Sequence, residues 1–436
     1  MRIGVIGGGL AGLTSGYLLN RTSNDFRILE KGSECGGLIR SVEREGFTFD
    51  CGGSHVIFSK DNETLKFIQG LLGSNRRTIL RNTKIMYKNR LIKYPFENGL
   101  AGLSNEENFE CVYEFVMSAL SREENASTSA PENLADWFYH HFGRGIAEKY
   151  LLPYNEKIWK FPLDRIGTKW AERIPNPPMA DIIKSSIGIE TEGYTHQLNF
   201  SYPNKGGIQS LARALEEPIV DKIVTNYEVS KIEKEDDIWI VSDGRKQFEF
   251  DRIVSTIPLP ETTEILDDLP PEIHARIGEL RYNSLITVAI GVDKMNENNL
   301  SWLYIPDKEI LANRVSFPSN YSSCVVPEGK SSLLAEITFT DGDLISRMND
   351  KDIVARTQED LERLKLLNTD DIIMSIVSRY KYAYVIEDLN WGFNLREILR
   401  YFNSLGIDLL GRFGRWDYSN MDDVVRQVKG YVDRRY

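Results

Sequence analysis

Three glycines, Gly7, Gly9 and Gly12, constrain this chain more than any other residues. They stand in the run Gly7-Gly8-Gly9-Leu10-Ala11-Gly12. Ile3, Val5 and Ile6 before the run read as a short buried strand. Leu13, Tyr17 and Leu18 after it supply the apolar face of a helix, and Arg27-Ile28-Leu29-Glu30 closes a second strand. In a strand–turn–helix–strand unit each glycine has its own task. The first permits the tight turn. The second lets backbone N–H groups approach a pyrophosphate at the positive end of the helix, and the third lets helix and strand touch. Glu30, at the end of the second strand, is placed to accept hydrogen bonds from ribose hydroxyls. The unit predicts an α/β chain built on a Rossmann-type dinucleotide-binding domain.

Composition narrows the remaining classes. Lys plus Arg number 53 against 64 Asp plus Glu, a net charge of −11, which argues against a general nucleic-acid binder. No apolar run approaches the ~20 residues of a membrane helix, so no membrane insertion is expected. Strand structure begins at once after Met1, and a cytoplasmic protein is expected. Cys35, Cys51, Cys111 and Cys324 form no C-x-x-C pair and no metal-ligand spacing, so neither a disulfide framework nor a metal site is predicted.

Residues 60–170 read as mainly helical, interrupted by a polar loop over 121–133. Pro131 suits the first turn of a helix carrying Leu134, Trp137, Phe138 and His141. Strands are predicted at Lys222–Val224, Tyr227–Val229, Ile238–Val241 and Leu285–Ile290, and helices over 355–367 and from about Asp422. Adjacent His140 and His141 do not share a helix face and read as structural, and His196 and His274 show no partner.

A second glycine pair, Gly36-Gly37, follows Glu30 closely and is followed by Arg40. Next comes Phe49-Asp50-Cys51-Gly52-Gly53-Ser54-His55. This arrangement resembles the FAD family that includes amine oxidases and protoporphyrinogen oxidases. The resemblance implies FAD rather than NAD. It implies that Gly36, Gly37, Arg40 and Gly53 lie along the cofactor, that Val229 meets the adenine, and that Gly411, Arg412 and Met421 return to cover the flavin. It also implies discontinuous domains: FAD-binding segments at 1–75, 200–275 and 371–436, a mainly helical insertion at 76–199, and an antiparallel sheet domain at 276–370.

Several further segments, in order along the chain, resemble UDP-galactopyranose mutases, chiefly of the eukaryotic type. They are Gly53-Ser54-His55-Val56-Ile57-Phe58-Ser59, with Ser54 as one extra residue; Tyr94-Pro95-Phe96-Glu97-Asn98; Asn155-Glu156-Lys157-Ile158-Trp159 with Trp170-Ala171-Glu172-Arg173; Trp302-Leu303-Tyr304 with Arg314 and Asn320-Tyr321; and Tyr384 with Gly411–Tyr418. The resemblance implies a flavin-dependent mutase that interconverts the pyranose and furanose forms of a nucleotide sugar, with N5 of reduced FAD as nucleophile at the anomeric carbon. Arg173 and Arg314 would hold the diphosphate, as permanently charged, planar guanidinium groups can. Tyr321, Tyr384 and Tyr418 would donate to its oxygens. Asn155, Trp159, Trp302 and Tyr304 would line the cleft, and Tyr94, Phe96 and Glu97 would hold the nucleobase. Arg412 would sit beside the flavin, and His55 would present its backbone to the flavin ring.

The resemblance leaves NAD(P)H as a candidate reductant, although no second dinucleotide motif is present, and it leaves room for an oligomer. Glu97 departs from the family's usual glutamine. An ionised carboxylate only accepts, so it does not suit the carbonyls of uracil. The alternative function is an FAD oxidoreductase of the amine oxidase, protoporphyrinogen oxidase or desaturase type.

Overall fold

The computed structural model describes residues 1–124, 130–174, 176–192, 198–266 and 269–436. The glycine unit forms as predicted and belongs to a five-stranded parallel sheet. In spatial order its strands are Ile407–Leu409, Arg252–Ser255, Arg2–Ile6, Asp25–Leu29 and Ile223–Val224. The chain enters this sheet from its beginning, middle and end.

Parallel strands need both faces covered. Ile3 and Val5 face the helices Leu10–Leu19, Gln209–Glu216 and Met421–Arg435, where Leu13, Leu211, Leu215 and Val428 are fully buried. Gly4 and Ile6 face the other way, toward an antiparallel sheet of Lys231–Glu235, Ile238–Ser242 and Gln247–Phe250. A Cβ on Gly4 would stand 2.5 Å from the Phe250 ring, so only glycine lets this second layer close.

The second large layer is a seven-stranded mixed sheet in the order Ile372–Ile386, Arg281–Val292, Ser331–Phe339, Arg314–Ser316, Trp302–Tyr304, Thr83–Tyr87 and Arg90–Lys93. All its pairs are antiparallel except Trp302–Tyr304 with Thr83–Tyr87. The helix Asp350–Arg363 seals one face through Ile353 and Leu361. The helices Asn105–Glu124, Leu134–Ile146, Leu152–Trp159 and Met179–Ser186 form a separate lobe around Phe115, Phe138, Phe142 and Ile146.

Several expectations differ from what forms. Residues 77–93 are strands, not helix. Lys88 and Asn89 adopt φ of 47° and 61° between two of them, which is hairpin-turn geometry. The large sheet therefore draws strands from both sides of 276–370. Tyr227–Val229 is not a strand, because Asn226, at φ 54°, turns the chain out of the parallel sheet after Val224. Pro131 lies outside its helix. Asn133 is the cap, its side chain accepting from Asp136 N–H at 2.9 Å. Helix continues to Glu124 inside the stretch read as a polar loop; residues 125–129 and His196 lie outside the described residues. His141 donates from Nδ1 to Trp137 O at 2.9 Å and stacks on that indole, a structural role.

Candidate active site

One continuous cavity of about 1180 Å³ runs from the glycine turn to the cleft between the large sheet and the helical lobe. Its cofactor end is built from backbone. Gly7 takes φ +97°, and a Cβ on Gly12 would lie 1.9 Å from Gly7 O, so helix and strand touch there without side chains. Gly9 precedes the helix Leu10–Leu19, which has no side-chain cap; its first N–H groups are left for an anion. A Cβ on Gly9 would meet nothing within 4 Å, because that face opens into the cavity.

Gly36 donates to Gly8 O at 2.8 Å, laying the second glycine pair along the first. Glu30 accepts from Gly8 N–H at 2.6 Å and Gly32 N–H at 2.7 Å, one on each oxygen, and keeps lone pairs for ribose hydroxyls. Arg40, Gly37, Val229, Gly411 and Met421 line the same space. The uncapped helix, the open glycine face and the anchored carboxylate fit a dinucleotide such as FAD. Gly12 and Gly53 shape this wall without lining it.

In the cleft, antiparallel pairing sets Arg314 directly opposite Glu336. Arg314 donates from Nε to Oε1 at 2.9 Å and from Nη2 to Oε2 at 2.7 Å, a bidentate ion pair. Glu336 is fully buried and also accepts from Ser54 N–H at 3.1 Å. The extra residue Ser54 is thus fastened on the cleft wall, and its hydroxyl donates to Tyr321 Oη at 3.1 Å. Gly53 is obligatory here: it has φ +103°, and a Cβ would meet the Glu336 carboxylate at 2.9 Å. Sequence reasoning missed Glu336. The available signal was a lone charge inside the apolar strand Ser331–Phe339.

Arg412 stands over the Tyr418 ring at 4.7 Å and the Tyr384 ring at 5.3 Å. It donates to Ala383 O at 2.7 Å and Ser419 O at 3.2 Å, while its buried Nε has no partner among the described residues. Tyr384 and Tyr418 stack on each other, and burial pushes the Tyr384 phenol above its ordinary pKa, so it remains a donor. Arg173 donates to Asp423 at 3.2 Å and to Tyr418 O, joining the segment Thr168–Arg173 to the start of the last helix.

His55 donates from Nδ1 to Gly53 O at 2.8 Å, since a carbonyl can only accept, and this fixes the tautomer. Burial, with Arg314 and Arg412 nearby, pushes its pKa down to about 4. It is a neutral imidazole at physiological pH.

The far end is aromatic. Tyr94 lies 4.9 Å from Tyr304, and Tyr304 lies 5.2 Å from Tyr154. Trp302 joins this wall with a buried Nε1–H that has no partner among the described residues. Asn155 lines the cavity, but its amide serves its own helix, donating to Leu151 O and accepting from Trp159 Nε1. Three predicted contacts stand one layer behind the wall. Phe96 is fully buried between Tyr87 and Tyr150; Trp159 supports Tyr384 and Tyr418; Tyr321 donates to Ser301 O at 2.8 Å inside the core. Sequence spacing could not separate a lining aromatic from the one beneath it.

Glu97 lines the cavity and is only 4% exposed. Burial pushes its pKa up to about 7, against its own backbone N–H, which lowers it. A carboxyl whose folded-state pKa lies above its unfolded value holds its proton more tightly when folded. Its cost is absent at low pH and develops as pH rises from about 4.5 through about 7. Glu97→Gln is therefore expected to change stability little at pH 4.5 and to raise it by up to about 3 kcal/mol at pH 8.5. Chemical denaturation of both proteins at the two pH values checks this; an equal effect at both would contradict it.

The model of flavin-containing amine oxidoreductases matches residues 10–385. Coproporphyrinogen III oxidase of Bacillus subtilis (strain 168) is 18% identical over 413 residues, covering 86% of this chain and 85% of that protein. The crystal structure of reduced UDP-galactopyranose mutase superposes with a TM-score of 0.91 at 25% identity, covering 99% of this chain and 93% of the other. A putative protoporphyrinogen oxidase from Exiguobacterium sp. 255-15 superposes at 0.77 with 18% identity, covering 99% and 98%. No helix among the described residues is long and apolar enough to cross a membrane. A match over most of the chain and a cradle that fits FAD place this chain in the flavin-containing amine oxidoreductase family, among the members built like UDP-galactopyranose mutase.

Proposed function

We propose that this flavoenzyme is a nucleotide-sugar mutase that interconverts pyranose and furanose rings. The observation that carries this reading is the partly buried, preorganised Arg314 in a cleft continuous with the cofactor cradle, together with the chain's likeness to reduced UDP-galactopyranose mutase over nearly its whole length. When bound, reduced FAD supplies a nucleophilic ring nitrogen at the anomeric carbon.

The chain's own residues do the rest. Arg314, held in place by Glu336, takes up the charge of the departing diphosphate, and the Tyr384 and Tyr418 hydroxyls donate to its oxygens. Arg173 sits where its guanidinium can exchange the Asp423 carboxylate for a phosphate. His55, neutral and held through its Nδ1–H to Gly53 O, adds no further cation to the cleft. The net reaction breaks and remakes the bond between the anomeric carbon and the diphosphate oxygen, exchanges one ring oxygen for another, and moves no electrons overall. NAD(P)H as the reductant belongs to this proposal.

A second reading is favoured by the likeness to coproporphyrinogen III oxidase over 86% of the chain: an FAD oxidoreductase that passes electrons onward. The two readings separate on stoichiometry. The mutase is expected to turn over many sugars per reduced flavin without consuming oxygen. Oxygen uptake in proportion to product would instead establish the oxidoreductase.

A further inference from the structure

Phe96, Glu97 and Asn98 form a single 3₁₀ turn, whose three side chains must leave in three directions. Phe96 enters the core between Tyr87 and Tyr150, at ring distances of 5.6 and 5.2 Å. Asn98 donates its amide to Thr191. The third direction, into the cavity, is left to Glu97. Among the described residues no side-chain donor and no cation reaches its carboxylate; only its own backbone N–H does. The surroundings are aromatic: Tyr150 stacks on Phe96, Tyr154 follows at 5.4 Å, and Tyr94 and Tyr304 continue the wall.

An unpartnered carboxylate in such surroundings costs stability, and a ligand that donates to it recovers that cost. Flat aromatic walls suit a stacked base. The base that matches two acceptor oxygens side by side carries two N–H donors side by side. Guanine does so with N1–H and N2–H. Uracil and thymine offer one N–H flanked by carbonyls, which a carboxylate repels. Cytosine offers one amino group beside an acceptor nitrogen. We propose that Glu97 reads the nucleobase of the nucleotide sugar and selects guanine. This rests on the nucleotide-sugar reading of the cleft and names its substrate class as a guanosine diphosphate sugar.

The test is calorimetric titration of the flavin-loaded protein with GDP, UDP, CDP and dTDP at pH 8.5, in the parent, Glu97→Gln and Arg314→Ala. Flavin absorbance reports that each variant is folded around its cofactor. The expected result is GDP binding at least tenfold tighter than the other three in the parent. In Glu97→Gln, GDP should weaken at least tenfold and UDP should tighten, because an amide both donates and accepts. UDP binding as tightly as GDP in the parent would overturn the assignment. So would equal affinity for all four, provided Arg314→Ala weakens them together, and then the diphosphate reading would stand alone. No binding of any nucleotide diphosphate to the flavin-loaded parent would remove the nucleotide-sugar reading and the guanine assignment with it.

Discussion

Arg314→Ala is expected to destabilise the folded protein by about 3–5 kcal/mol and to weaken nucleoside-diphosphate binding by about 2 kcal/mol or more, roughly 30-fold. The two losses have different origins. The stability loss arises because the Glu336 carboxyl group, with 1% of its side chain exposed, would be left in the core without its ion-pair partner and with only the Ser54 N–H to answer it. The binding loss arises because the planar guanidinium is held in one orientation by two hydrogen bonds, so little ordering remains to be done when a diphosphate arrives.

A second variant separates them. Arg314→Met with Glu336→Gln removes both charges, fills the space and leaves an amide oxygen to accept from Ser54. It should regain most of the stability while nucleotide binding stays lost. Denaturation midpoints and titrations with GDP and UDP measure both effects. A single variant within about 1 kcal/mol of the parent would show that the pair does not hold the cleft.

The other large effect is at the cofactor end. Gly12→Ala is expected to reduce bound FAD to less than a tenth of the parent's. The new methyl would stand 1.9 Å from Gly7 O, and neither side can yield. Gly7 is held by its N–H to Leu29 O at 2.9 Å, and its carbonyl accepts from Thr256 Oγ1 at 3.1 Å. The helix would have to lift off the strand, taking the pyrophosphate site with it.

Gly9→Ala is the informative contrast. Its Cβ meets no protein atom within 4 Å, so the flavin-free protein should keep its stability and still lose cofactor, because the methyl enters the cofactor's space. The ratio of flavin to protein absorbance after purification, with thermal denaturation of the flavin-free forms, reads both. Parent-like flavin content in Gly12→Ala would contradict the assigned cradle.

What could be read from the sequence was what local physics dictates. The glycine turn, Glu30, the Leu134 helix and the last helix depend on spacing within one or two turns, and they form where spacing places them. Legibility failed where distant segments decide. Residues 83–93 are strands because a sheet built mostly from residues beyond 280 offers them an edge, and Arg77–Leu80 is a strand because the distant Asn199–Tyr202 pairs with it. Glu336 matters because pairing sets it opposite Arg314, which no spacing along the chain reveals. Phe96 and Glu97 are neighbours in sequence, yet one is core and the other lines the cavity. Only the 3₁₀ turn that carries them decides which is which. Glu97 was visible as a departure from glutamine, and the fold buries it on the cavity wall rather than leaving it in solvent.

The most direct measurement is an anaerobic assay of the dithionite-reduced protein against nucleotide hexoses, GDP- and UDP-linked first, with chromatographic separation of the pyranose and furanose forms. A mutase is expected to interconvert the two forms, to cease when the flavin is reoxidised and to resume when it is reduced again. Fully reducible, FAD-loaded protein that converts no nucleotide sugar in the panel would contradict the mutase reading and leave the oxidoreductase reading in its place.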